Sequence, residues 1–231
     1  QEVQKEFVEV WQKEVFCRER EKPDFDKFLA EYGGYIPRVN YEAGHITGED
    51  LMKTLEEMSK QVPGLDGWRV AELKALPLQA WNERVRITKV QGKVRKVPNS
   101  FRSIGTPMMP KVKGTEKILE HRGLAIFPVL WRIESGAWYR RTEPWQEAWS
   151  HKDVRGARAE HETLHASWPV QARIERTRKL GQERCMATLD YTKYFDLFDY
   201  EFTMQLLTYV GFPSGLAETL SAIYDGLERH I

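Results

Sequence analysis

No apolar run in this chain approaches the roughly 20 residues that a membrane span needs. The opening QEVQKEFVEV lacks the basic-then-apolar order of a signal peptide, so the expectation is an intracellular protein, with nucleus and cytoplasm not distinguished. Cysteine is scarce: Cys17 and Cys185 are too few and too far apart for a disulfide framework or a cysteine-rich zinc site, which suits a reducing compartment. QGKVRK (91–96) lacks the spacing of a phosphate-binding glycine loop, and no G-x-S-x-G nucleophile turn occurs. Those absences remove P-loop nucleotide hydrolases and serine hydrolases of the elbow type.

What is present belongs to a folded domain. Eight Trp and ten Phe in 231 residues are far more than a disordered chain carries, and the length suffices for one large domain or two small ones. The net charge of +1 conceals an uneven distribution. Between Arg84 and Lys117 stand ten Lys/Arg (84, 86, 89, 93, 95, 96, 102, 111, 113, 117) against one acid, Glu116. Such a run is either a solvated face or a phosphate-contacting surface.

Helical periodicity dominates. Phe7, Val10, Trp11 and Val15 mark a first helix, broken by Gly33-Gly34 and Pro37. Thr47 or Asp50 caps a second, with Leu51, Leu55 and Met58 as its apolar stripe. QVPGLDGW (61–68) is a turn, and a short helix follows as far as Pro77. Residues 79–97 fit a helix through Trp81, Val85 and Val90 that stops at Gly92, or a hairpin turning at Gln91-Gly92, and the helix is preferred. SIGTPMMPKV (103–112) is extended, and 124–141 becomes helical after Pro128. A polar helix over 157–180 bends at Pro169, and CMATLD (185–190) reads as a buried strand ending at Asp190. Phe198, Phe202, Leu206 and Val210 line a helix ended by Gly211 and Pro213, and a last helix runs from Ser214 through Leu216, Leu220, Ile223 and Leu227. The class is α+β, helix-rich with a few strands.

Two constellations carry chemistry. HETLH (161–165) fits the zinc-peptidase pattern, with His161 and His165 one turn apart, Glu162 as general base and Glu183 as a possible third ligand. Trp168 and Gln171 occupy the places of the extended pattern's glycine and third histidine, and Pro169 disturbs the helix, so an exposed histidine pair is the preferred reading. The other constellation is TLDYTKYFDLFDYEF (188–202). A carboxylate at a strand end, such as Asp190, is suited to holding Mg²⁺ against a triphosphate, whereas Asp196 and Asp199 fit the first turn of a helix.

LDYTKYFD resembles the D-x-x-K-A-F-D palm motif of non-LTR retrotransposon reverse transcriptases, with Tyr194 in place of the alanine. VPGLDGWRVAELKAL, MPKV (109–112), HRGLAIFPVLWRIESGAW and VRGARAEHETLHASW resemble that family's successive blocks in order, over about residues 60 to 215. The resemblance implies the fingers and partial palm of a right-hand polymerase: an N-terminal helical extension (1–45), a fingers-like region (46–184) and the start of the palm (185–231). It implies Asp190 as catalytic, metal-binding aspartate, with Phe195 as the aromatic that crowds a ribose 2′-hydroxyl. Lys111 and Arg122 would approach the triphosphate, and Arg132 matches a further basic position. The implied reaction is RNA-directed DNA polymerisation, a nucleotidyl transfer using two Mg²⁺, an RNA template, a DNA primer and deoxynucleoside triphosphates.

Two departures matter. The family's R-P-I triplet is Arg122-Gly123-Leu124, and no Asp-Asp pair stands anywhere in the 231 residues to supply the x-x-D-D turn. The expectation is therefore a partial reverse transcriptase domain that is catalytically silent alone. A non-catalytic nucleic-acid-binding remnant is the alternative, with the zinc peptidase disfavoured.

Overall fold

The computed structural model describes residues 2–15, 21–59, 62–191 and 194–231. Its chain order is α1 (Glu2–Glu14), α2 (Phe25–Tyr32), α3 (Gly48–Glu57), α4 (Val70–Lys74), α5 (Leu78–Val94), α6 (Asn99–Arg102), β1 (Ser103–Gly105), β2 (Met108–Pro110), β3 (His121–Gly123), α7 (Val129–Trp149), α8 (Thr163–Lys179), α9 (Tyr200–Val210), α10 (Ser214–Tyr224) and β4 (Glu228–His230). Short 3-10 turns cover Gly33–Tyr35, Ile118–Glu120 and Tyr194–Leu197. The architecture is helix-rich α+β: β1 pairs in parallel with β4, and β2 pairs antiparallel with β3. Among the described residues no helix is long and apolar enough to cross a membrane.

The core forms where α3, α4, α5 and α7 turn their apolar stripes together. Leu51 and Leu55 of α3, Leu73 of α4, Trp81 and Val85 of α5, and Val129, Ile133 and Ala137 of α7 make one buried cluster. Removing such side chains from water is what holds short helices that would not persist alone. A second, smaller cluster joins Phe101, Trp131 of α7 and Ile223 of α10, with Phe127, Leu220 and Leu227 against it. Of the two readings of 79–97, the helix is the one observed; Trp81 and Val85 point inward but Val90 faces solvent, and the helix runs past Gly92 to Val94.

Each end of α7 is tied to another element. At its N-terminus the Val129 amide donates to Asp66 Oδ2 at 3.0 Å, and Arg132 Nη2 donates to the Val62 carbonyl at 2.7 Å. This explains the turn QVPGLDGW: a Cβ on Gly64 would lie 2.7 Å from Pro128 Cα and 2.8 Å from the Phe127 carbonyl, so only glycine lets the turn close on the helix start. Nearer its C-terminus Arg141 Nη2 reaches Asp50 Oδ2 at 2.7 Å. Asp50 also completes a capping box on α3, accepting from the Thr47 amide at 2.8 Å. Burial pulls the Asp50 carboxyl upward, but the hydrogen bonds from Arg141 and Thr47 together outweigh it and hold the group below its ordinary value.

Between these ends Glu134 of α7 is fully enclosed, 2% exposed, and pairs with the Arg84 guanidinium of α5. The guanidinium also stacks over the Phe101 ring, 4.9 Å from its centroid. Burial pushes the Glu134 carboxyl up, and the charge and hydrogen bond of Arg84 pull it partly back.

The N-terminal stretch packs at two places. Trp11 of α1 is buried beside the β2–β3 hairpin, and the Phe7 ring meets His121 of β3 edge-on at 4.9 Å. Phe25 and Phe28 of α2 meet Phe202 of α9 at 5.4 and 5.0 Å, with Arg38 3.7 Å over the Tyr209 ring. Val39 donates its amide to the Val210 carbonyl at 2.9 Å, and Gly211, at φ +93°, ends α9 so closely against the Val39 carbonyl that no Cβ fits.

The strand expected over 185–190 is corrected: these residues form neither helix nor strand, and Met186 and Leu189 are 68% and 81% exposed. A strand is stabilised by neighbours on its edges, and among the described residues none lies beside this segment. The polar helix expected over 157–180 is shorter, Thr163–Lys179, and runs through Pro169.

Two outcomes follow for stability. Glu134→Ala will cost about 3 kcal/mol in denaturant titration because it takes the carboxylate from the largely covered Arg84 guanidinium, and Arg84→Met/Glu134→Leu will recover most of that loss. Asp50→Asn will cost about 1 kcal/mol at neutral pH. Because the folded carboxyl sits below its unfolded value, that contribution is present above about pH 4 and fades as pH falls through the folded value. Thermal unfolding of both proteins across pH 2.5–7 will show the curves converge in acid.

Candidate functional site

The β2–β3 hairpin brings together two residues separated by ten others. Met109 stands opposite Arg122 and Pro110 opposite His121, and the Lys111 amide extends the ladder by donating to the Glu120 carbonyl at 2.8 Å. Alternation then puts Met109, Lys111, Glu120 and Arg122 on one face of the hairpin and His121 and Gly123 on the other. The second face is the one covered by α1. A Cβ on Gly123 would lie 2.9 Å from Thr106 Cγ2, so glycine at this position lets Thr106 close over the strand, with the Trp11 ring of α1 in ordinary contact range beyond it. That gives a packing reason for the glycine where the family's triplet carries proline.

The first face is open to solvent: Met109, Lys111 and Arg122 are all exposed. The Lys111 and Arg122 side chains make no hydrogen bond or ion pair among the described residues. Glu120, opposite Lys111, is occupied by others. The Thr115 hydroxyl donates to it and Lys117 Nζ lies 3.1 Å away, and these, the hydroxyl first, hold its carboxyl below the ordinary value. Two diagonal cations on a rigid hairpin, one a point charge and one a fork, form an arrangement suited to a polyphosphate.

Half of the basic run from Arg84 to Lys117 is spent internally. Arg84 pairs with Glu134, Arg86 with Glu83, Arg95 with Glu218, Arg102 with Asn99, and Lys117 with Glu120. Lys89, Lys93, Lys96, Lys111 and Lys113 carry no such partner among the described residues.

Asp190 is exposed in the segment 182–191. Among the described residues no group of three or more His, Cys, Asp or Glu is placed to hold a metal ion. A two-magnesium centre needs several converging oxygens, and among the described residues no such group includes Asp190. Asp199 is the N-cap of α9, its carboxylate accepting from the Phe202 amide at 2.8 Å. Asp196, expected in the first turn of that helix, lies before it in the 3-10 turn Tyr194–Leu197. Lys193 and the side chain of Phe195 lie outside the described residues.

HETLH straddles a helix start. His161 precedes the N-cap Glu162, so helical spacing does not hold it over His165, and the rings stand edge to face 6.3 Å apart. His161 Nδ1 lies 3.1 Å from Arg155 Nη1, and His165 Nδ1 accepts the Glu162 amide at 3.1 Å. No third ligand converges on the pair among the described residues, Glu183 included. The capping role was legible as a polar residue ahead of a helix, but the histidines' zinc spacing obscured it.

Compared with known proteins, the chain matches no protein-family model and no curated protein.

The two aspartates are separable by stability. Asp199→Ala will cost about 1 kcal/mol through loss of the α9 cap, whereas Asp190→Ala will stay within about 0.5 kcal/mol of the parent in urea unfolding.

Proposed function

We propose that this chain is the fingers and first palm segment of a reverse transcriptase of non-LTR type, and that taken alone it binds the deoxynucleoside triphosphate without adding it to a primer. The observation that carries the reading is the hairpin. The two basic residues that the resemblance singles out for triphosphate contact, Lys111 and Arg122, share one exposed face, their side chains without a partner among the described residues. Support also comes from the order of the sequence blocks and from the position of VPGLDGW, packed by Gly64 and Asp66 on the start of α7. In the family's reaction Mg²⁺ supplies charge neutralisation at the phosphates. Here Asp190 would be one ligand, and the carboxylates needed beside it are missing from the 231 residues as an Asp-Asp pair.

A binding role for nucleic acid is the second reading, favoured by the five unspent lysines of 89–113. RNA or DNA held this way would dissociate steeply with rising salt, because phosphate contacts release counterions.

Deoxynucleoside triphosphate binding, followed by calorimetry at low salt, tests the main reading. Lys111→Ala and Arg122→Ala will each weaken binding by roughly tenfold, the scale of one charge-assisted hydrogen bond, with folding unchanged at these exposed positions. Undiminished binding in the double variant defeats the proposal, as does primer extension by the chain alone.

A further inference from the structure

The outer surface of α5 is divided lengthwise in a way that the hairpin reading does not use. Its inner stripe, Trp81, Val85 and Thr88, is buried against the core. On the outer side Ile87, Val90 and Val94 are about half exposed, at 49%, 57% and 55%. Their spacing of three and then four residues is the seam that one helix offers another. Along one border of the seam run Arg86, Lys89 and Lys93, all exposed; Arg86 meets Glu83 at 2.8 Å, while Lys89 and Lys93 have no partner among the described residues.

We propose that this face of α5 is a docking site for an amphipathic helix of a partner protein whose apolar seam is bordered by carboxylates. Charge selects the occupant. The border holds three cations, and Glu83, one turn before Ile87 in line with the seam, is already paired with Arg86, so a helix with Glu or Asp beside its seam is attracted and a basic one is repelled. Two copies of α5 laid together antiparallel would set cations against cations, which disfavours self-pairing through this face. Single-stranded nucleic acid would also find the lysines, but it is held on stacking platforms, and the seam is aliphatic and β-branched with no aromatic ring among its three residues. The site is independent of the triphosphate hairpin and of any reverse-transcriptase activity.

The test uses the full chain and three fluorescent probes: a three-heptad peptide with Leu and Ile in its seam and Glu on both borders, the same peptide with Lys for Glu, and oligo(dT). The acidic peptide will bind and the basic one will not. Val90→Asp and Lys89→Glu/Lys93→Glu, all at exposed positions, will each weaken the acidic peptide at least about tenfold. No binding of the acidic peptide up to about 100 µM overturns the proposal. So does equal binding of both peptides. Oligo(dT) binding that is lost in the lysine variant, kept in Val90→Asp, and unaccompanied by peptide binding assigns the face to nucleic acid instead.

Discussion

A carboxylate shut away from water decides how the two longest core helices meet. Glu134 has no solvent to fall back on, so α5 must approach α7 at the height and rotation that bring Arg84 to it. The guanidinium is held in turn by the Phe101 ring, which belongs to the second cluster with Trp131 and Ile223. One ion pair therefore joins the two apolar clusters through a single rotamer. Apolar packing alone tolerates small rotations of a helix about its axis; a buried carboxyl that must meet Arg84 and Thr88 together does not. The orientation of the outer face of α5 is a consequence of the same pair.

The hairpin depends on a different kind of restraint. Its two strands of three residues are too short to be stable by themselves. Trp11 and Phe7 give it an apolar backing, and Gly123 leaves room for Thr106 beside them. The exposed face owes its fixed spacing of Lys111 and Arg122 to contacts made entirely on the reverse side. A surface pair built this way is positioned by residues on the opposite face of the hairpin.

Sequence periodicity found most of the buried helix stripes, although Val90 of α5 faces solvent and Phe198 lies exposed ahead of α9. Trp11 and Val15, Leu51 and Leu55, and Leu216 and Ile223 all lie inward as their spacing implies, and Thr47, Gly211 and Pro213 mark helix ends for local steric and hydrogen-bonding reasons. It failed where the outcome depends on a partner distant in sequence. CMATLD has the composition of a buried strand, but pairing is a property of two segments, and the second is not beside it. The basic run looked uniform, yet which of its residues are spent internally depends on Glu134, Glu218 and the Asp225 carbonyl arriving from remote elements to meet Arg84, Arg95 and Arg102. The site candidates divide in the same way. Lys111 and Arg122 could be named from motifs, while their shared face depends on the register of a hairpin that composition does not set.

The clasp of α2 onto α9 also has a kinetic side. Lys22 and Glu201, paired at 2.7 Å, are 179 residues apart, and Tyr209 reaches the Gly33 carbonyl across 176. A ribosome adding roughly 5–20 residues per second would leave α2 without its aromatic partners for about 9–36 s. During that interval Phe25 and Phe28 are uncovered on a nascent chain whose α3–α7 core is already assembling. Helix α2 is thus made well before the element that seats it, and its place in the fold is set only once α9 exists.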